Sequence, residues 1–252
     1  MGLLSFITTN ATGILMSIVA NRLDAFIVRK MPNIQRWTLW LATFKQSMIR
    51  VSIAYLYRIE IDGRYLLIKG NRIDQFQPIG GVRKFHESAL ANLRELGFRK
   101  DDSLKIDEIS RNDLRIRVPA KNLLKFLKWY ETGLDREIDQ RREFREELIK
   151  PGYLPQSLFD DFESQYLYTV PTFHYSLHFQ CWELLYHEVY EPVFNSEQRE
   201  ALKELDVSGT LTWVNEELIL SLGHDKRQGQ KPFQIGEHTK LLVSKDIKLF
   251  KQ

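Results

Sequence analysis

Residues 142–149 read Arg-Glu-Phe-Arg-Glu-Glu-Leu-Ile. Written as a helix, Glu143, Glu146 and Glu147 stand at i, i+3 and i+4, so their carboxylates share one face. Three acids that close repel one another unless a cation or an arginine compensates. Oxygen ligands at this spacing suit Mg²⁺ or Mn²⁺, which keeps several waters and bridges to substrate phosphates. Phe144 and Leu148, also four apart, are placed to anchor the opposite face in a core. The same letters also describe an ordinary charged surface helix laced with i,i+4 pairs.

Outward from this stretch, the chain mixes helical and strand patterns. VSIAYLYRIEID, Gly63 and RYLLIKG read as a β-hairpin turning at Asp62-Gly63. DQFQPIGGV is a short strand running into a Gly-Gly turn. Residues 87–97 look helical and stop at Gly97, and DLRIRVP (113–119) alternates as a strand. KNLLKFLKWYETG (121–133) is an amphipathic helix closed by Gly133, and residues 135–149 read as a second helix stopped by Pro151-Gly152. The aromatic, β-branched run that follows predicts two or three strands. SEQREALKEL is a short capped helix, TLTWV a strand, and Asn215 a cap for NEELILSLG. GEHTKLLV reads equally as helix or strand. Helices among hairpins, with no βαβ repeat, predict a mixed α/β sandwich rather than a doubly wound parallel sheet.

Composition narrows the class. Of 252 residues 43% are hydrophobic and 27% charged, which excludes a mainly disordered chain. One cysteine, Cys181, excludes a disulfide framework and any zinc site built on paired cysteines. Charge is uneven: residues 1–50 carry a net +5 and the remainder a net −2. A near-neutral domain with a basic segment predicts an anionic partner, phospholipid or nucleic acid. Met1 to Asn21 contains no charged residue, about the length of a membrane-crossing helix, although Thr8, Thr9, Asn10 and Thr12 interrupt it. The basic, aromatic stretch after it, with Trp37 and Trp40, suits the cytoplasmic membrane interface. A soluble helical arm or a dimerisation helix is the competing reading. The expected organisation is a helical segment 1–50 followed by one domain, 51–252.

Gln77-Pro78-Ile79-Gly80-Gly81 joins the acidic stretch in a larger pattern. P-x-G-G at the end of a strand, with R-E-Φ-x-E-E, resembles the Nudix box, Gly-x5-Glu-x7-Arg-Glu-Φ-x-Glu-Glu-x-Gly. Glu87 follows Gly81 at the spacing that pattern asks, but the acidic half arrives only at Arg142, after an insertion of about 50 residues, and Ile149 replaces the final glycine. With YLYRIEIDGRYLLIKGNR, NDLRIRVP, ELLYHEVYEP and WVNEELI in order, the chain resembles the SMODS-associated Nudix domain over roughly residues 51–245.

The resemblance implies a Nudix-like α/β/α sandwich with an insertion inside its box, preceded by a membrane-associated segment. It implies Glu143, Glu146 and Glu147 as metal-binding acids, Glu143 and Glu147 as catalytic if the domain hydrolyses, and Mg²⁺ or Mn²⁺ as the cofactor. Arg142 would be the arginine that pairs with an acid and fixes the loop, and Gly80 and Gly81 the turn that admits phosphate. The implied context is bacterial CBASS anti-phage defence, beside a cGAS/DncV-like nucleotidyltransferase whose cyclic nucleotide the domain senses at the inner membrane, its Nudix-like part in the cytoplasm. A Mg²⁺-dependent hydrolase of nucleoside diphosphates linked to another group is the alternative, and a homo-oligomer is compatible with either. Direct binding of duplex nucleic acid is not expected.

Other residues point less clearly. His174 and His178, four apart on a strand, share a face but lie too far apart for one ion. Lys69, Arg72 and Arg83 flank the Gly-Gly turn and suit either phosphate or open solvent. Cys181 reads as a buried apolar residue, and the aromatic run 166–190 as core, with one or two tyrosines available to stack on a base.

Overall fold

The structure is a computed structural model and describes residues 47–71, 73–101, 110–207, 209–225, 229–247 and 249. Among the described residues ten strands are formed: β1 (Met48–Tyr57), β2 (Glu60–Ile61), β3 (Arg64–Lys69), β4 (Phe76–Pro78), β5 (Gly80–Val82), β6 (Arg99–Lys100), β7 (Arg115–Pro119), β8 (Glu163–Ser176), β9 (Cys181–Val193) and β10 (Leu211–Asn215). The α-helices are α1 (Leu90–Glu95), α2 (Leu123–Thr132), α3 (Arg141–Phe144), α4 (Gln156–Phe159), α5 (Ser196–Lys203) and α6 (Glu216–Leu220). One sheet has the order β6-β7-β1-β9-β8, with β5 also on β1, and the other the order β10-β3-β2, with β4 on β3.

The chain divides into two compact units. One holds the described residues up to Ser52 with Lys84–Arg136 and Pro171–Leu185, the other Ile53–Arg83, Glu137–Val170 and the described residues from Tyr186 onward. In the first, β7 pairs antiparallel with the start of β1, Met48 opposite Pro119 and Ser52 opposite Arg115. Period-two alternation buries Ile49, Val51, Ile116 and Val118. Helix α2 buries Leu123, Phe126, Leu127 and Tyr130 and ends at Gly133, whose φ of 74° is the left-handed cap glycine tolerates best.

The second unit is the layered part. Alternation along its strands feeds two cores. Tyr55, Tyr57, Leu66 and Ile68 pack with Phe144, Leu148, Phe159 and Leu202. Leu56, Tyr65 and Leu67 pack with Ile219, Leu241 and Leu242. Helices thus cover both faces of the strands, the α/β/α sandwich expected from the sequence. The hairpin turns at Asp62-Gly63, where both residues have positive φ, 49° and 73°. Asn195 forms a capping box with Gln198 at the start of α5. Asn215 accepts the Leu218 N–H at 3.0 Å and caps α6. Residues 237–242, ambiguous by pattern, form a 3-10 helix.

Two expectations are corrected. Gly80-Gly81 is not a bare turn: Gly80, Gly81 and Val82 pair with Leu56, Tyr55 and Ala54 of β1. The helix read over 135–149 begins only at Arg141 and finishes as one π-helical turn, Arg145–Ile149. Residues 135–140 are drawn out of the helix by tertiary bonds: Asp135 has a φ of 59°, and the carbonyls of Ile138 and Asp139 accept from Arg83. Asp139 Oδ1 then accepts the Arg141 N–H at 2.9 Å, satisfying a donor at the new helix start.

Among the described residues no helix is long and apolar enough to cross a membrane. The charge-free run Met1–Asn21 and the segment with Trp37 and Trp40 lie outside them.

Candidate acidic site at the Gly-Gly strand

The site lies wholly within the second unit. Helix α3 and its π turn are held against β1 and β5 by Phe144 and Leu148, both fully buried. Tyr57 and Phe162 meet the Phe144 ring at centroid distances of 6.0 and 4.6 Å. Anchoring the apolar face turns the acids toward Gly80 and Gly81. The Glu143 N–H donates to the Tyr55 hydroxyl at 3.2 Å, fixing the first turn to β1.

Glycine is required at both positions, for different reasons. A β-carbon on Gly81 would collide with the Glu143 carboxylate, which lies against it. Gly80 has a φ of 146°, and a β-carbon there would overlap the Tyr55 carbonyl oxygen. Backbone and carboxylate thus meet directly: the Gly80 N–H donates to Glu147 Oε2 at 3.0 Å.

Arg142 organises the other acids. Its Nε donates to Glu137 Oε1 at 2.6 Å, one terminal nitrogen to Glu143 Oε1 at 2.5 Å and Glu146 Oε2 at 3.3 Å, and the other to the Val82 carbonyl at 2.9 Å. Burial opposes the charge of this guanidinium, but its hydrogen bonds and the surrounding carboxylates outweigh that and raise its pKa. Burial raises Glu143, against the opposing pull of Arg142. Glu147 is pushed up to about 8, by burial first and then by Glu143 and Glu146, although the Gly80 N–H favours its ionised form. Burial thus shifts Glu147 toward its protonated form.

The expected acids and glycines are brought together: Gly80, Gly81, Arg142, Glu143, Glu146 and Glu147 form one cluster. Glu87 is not among Arg142's bonding partners. It sits on an exposed turn and pairs with Arg111. The acid that fixes Arg142 is Glu137, which the spacing rule misses because the insertion breaks the count. Tyr55 was legible only as part of a hairpin strand. Arg83, read as a phosphate or solvent charge, is buried and pairs with Glu188. Lys69 meets Asp74 at 2.9 Å, and Arg72 lies outside the described residues. His174 lies 3.3 Å from Glu183, His178 edges the Phe179 ring, and Cys181 is half-buried.

The donor chemistry of three carboxylates suits a hard divalent cation. Their arrangement does not yet form its site. Arg142 already engages Glu143 and Glu146, and among the described residues no three His, Cys, Asp or Glu side chains are grouped to hold a metal ion.

A two-faced α/β sandwich that sets an R-E-Φ-x-E-E helix against a Gly-Gly strand defines a Nudix-type domain, a class that binds nucleotide-related ligands. The family model described as the SMODS-associated NUDIX domain matches residues 48–243. The chain belongs to that family, which ties its Nudix-like domain to the CBASS context. No curated protein matches the chain significantly.

Proposed function

We propose that the chain is a nucleotide-sensing effector of a bacterial CBASS anti-phage system, responding to a cyclic nucleotide made by a cognate nucleotidyltransferase and acting at the inner membrane. One observation carries the sensing reading: the acids are paired internally. Glu143 and Glu146 are bound by Arg142, and Glu147 accepts the Gly80 N–H. In such a site the carboxylates serve the protein's own donors rather than a metal ion or an attacking water. A sensor needs neither, because a ligand that favours one conformation by differential affinity is enough. An enzyme must also place an attacking water, and a misplacement of about 1 Å can cost about a hundredfold in rate.

The hydrolase alternative draws on the same Glu147, since carboxyls raised toward neutrality are common at active sites. Titration of the full chain with a panel of cyclic di- and trinucleotides tests the sensing reading. Stoichiometric binding, weakened in Gly81→Ala, supports it, and no binding across the panel overturns it. Membrane action rests on the charge-free run Met1–Asn21 and the basic segment after it. Full-length protein that stays with membranes through an alkaline wash supports it, and recovery wholly in the soluble fraction contradicts it.

A further inference from the structure

The chain leaves the second unit after Arg83 and returns at Glu137, five residues before the arginine that organises the acids. A Nudix box interrupted at this point needs something to fix where the returning chain re-enters. Two arginines do so in opposite directions. Arg142, on the returning side, donates to the carbonyl of Val82, and Arg83, the next residue on the departing side, donates to the carbonyl of Ile138 at 2.8 Å and more loosely to that of Asp139 at 3.4 Å.

Arg83 is built to stay in place. It is 1% exposed. Its Nε and one terminal nitrogen both donate to Glu188 Oε2, at 3.1 and 2.7 Å, and the same terminal nitrogen donates to the Tyr190 hydroxyl at 3.0 Å. Its guanidinium carbon lies 4.6 Å from the Tyr55 ring centre and 5.6 Å from that of Tyr190. A guanidinium has five N–H donors in a rigid fork and a lysine ammonium three on one atom, so lysine cannot reproduce these contacts.

We propose that Arg83 is a positioning residue: by holding the backbone of Ile138 and Asp139 it sets Glu137 where Arg142 needs it, and through Arg142 it places Glu143 against Gly81. This rests on the acidic cluster being the functional site, but it requires no ligand and no turnover. Ile138 contributes only its carbonyl, since its side chain points outward and the residue is 64% exposed.

The test compares wild type, Arg83→Lys and Ile138→Ala as full-length proteins without ligand. Hydrogen exchange is read over residues 137–149 and over β3 and β10, and the Arg142 Nε–H resonance, bonded to Glu137, is followed by NMR. Arg83→Lys is expected to speed exchange over 137–149 at least tenfold and to broaden or shift the Arg142 signal, with β3 and β10 unchanged. Ile138→Ala should match wild type in both. If Arg83→Lys fails to fold, Glu188→Gln, which loosens Arg83 while keeping its charge, takes its place with the same expectation at smaller size. An unchanged Arg142 signal, or exchange that rises equally in β3 and β10, overturns the proposal. Failure of nucleotide binding leaves these readouts unaffected, so the two ideas fail separately.

Discussion

The Glu143 carboxylate lies against the face of Gly81 from which a side chain would project, so the first acid of the motif and the second glycine of the strand share one space. Gly81→Ala therefore cannot be accommodated by the end of a flexible side chain alone. The inserted carbon meets Glu143 Cγ as well as its carboxylate, and Glu143 is tied to Arg142. A loss of about 1–3 kcal/mol is expected, as for overpacking a filled site. Combining it with Glu143→Ala should recover most of that loss in chemical denaturation. Gly80→Ala is different, because its carbon meets backbone at a positive φ. It should cost about 3 kcal/mol or more, with no rescue by Glu143→Ala.

Glu147 makes stability depend on pH. Its carboxyl is raised from 4.5 to about 8 in the fold. Between those values the unfolded chain has lost this proton while the native one keeps it, so the native state binds more protons and stability falls as pH rises. The contribution is whole below about pH 4.5 and gone above about 8. Its slope is at most about 1.4 kcal/mol per pH unit. Glu147→Gln should flatten the loss between pH 6.5 and 8 in denaturation curves, and an unchanged slope would count against a protonated Glu147.

Arg142 stands where a cation would have to act on Glu143 and Glu146. Arg142→Met removes the positive charge that Glu137, Glu143 and Glu146 share. Mn²⁺ should then raise the melting temperature by several degrees more in Arg142→Met than in wild type. Adding Glu146→Gln and Glu147→Gln should abolish the difference. An equal Mn²⁺ response in Arg142→Met and wild type would show that Arg142 does not occupy the cation's place.

In the other unit, Arg50 is buried between Asp101, at 2.6 Å, and Glu183. Removing one member of a buried ionic cluster costs about 3–5 kcal/mol, toward the lower end here because Asp101 keeps Arg117 at 3.3 Å. Arg50→Met should show that loss by urea denaturation. A loss under about 1 kcal/mol would mean that Asp101 and Glu183 protonate or find water at little cost.

Local chemistry explains what was legible. Phe144 and Leu148 announced their buried face by spacing, VSIAYLYRIEID its strand by alternation, and Asn215 its helix by capping. The acids and Gly80-Gly81 stood out as the R-E-Φ-x-E-E and P-x-G-G patterns of the family resemblance, and the fold brings them together. What failed depended on distant partners. Residues 135–140 have helical letters, but Arg83 takes the carbonyls of Ile138 and Asp139, and Arg83 itself has no local sign of burial because Glu188 lies 105 residues away. Glu87 satisfied the spacing and Glu137 did not, yet Glu137 holds Arg142, since an insertion breaks sequence counting without breaking the contact.

The central claim is that the acidic cluster recognises a nucleotide without consuming it. The most direct measurement incubates the full chain with a cyclic di- or trinucleotide and Mg²⁺ for many hours, then separates protein-bound and free nucleotide and identifies both by chromatography. The expected result is a stoichiometric complex from which the cyclic nucleotide is recovered intact. Steady release of linear or mononucleotide products by wild type, lost in Glu147→Gln, would contradict it and make the protein a hydrolase.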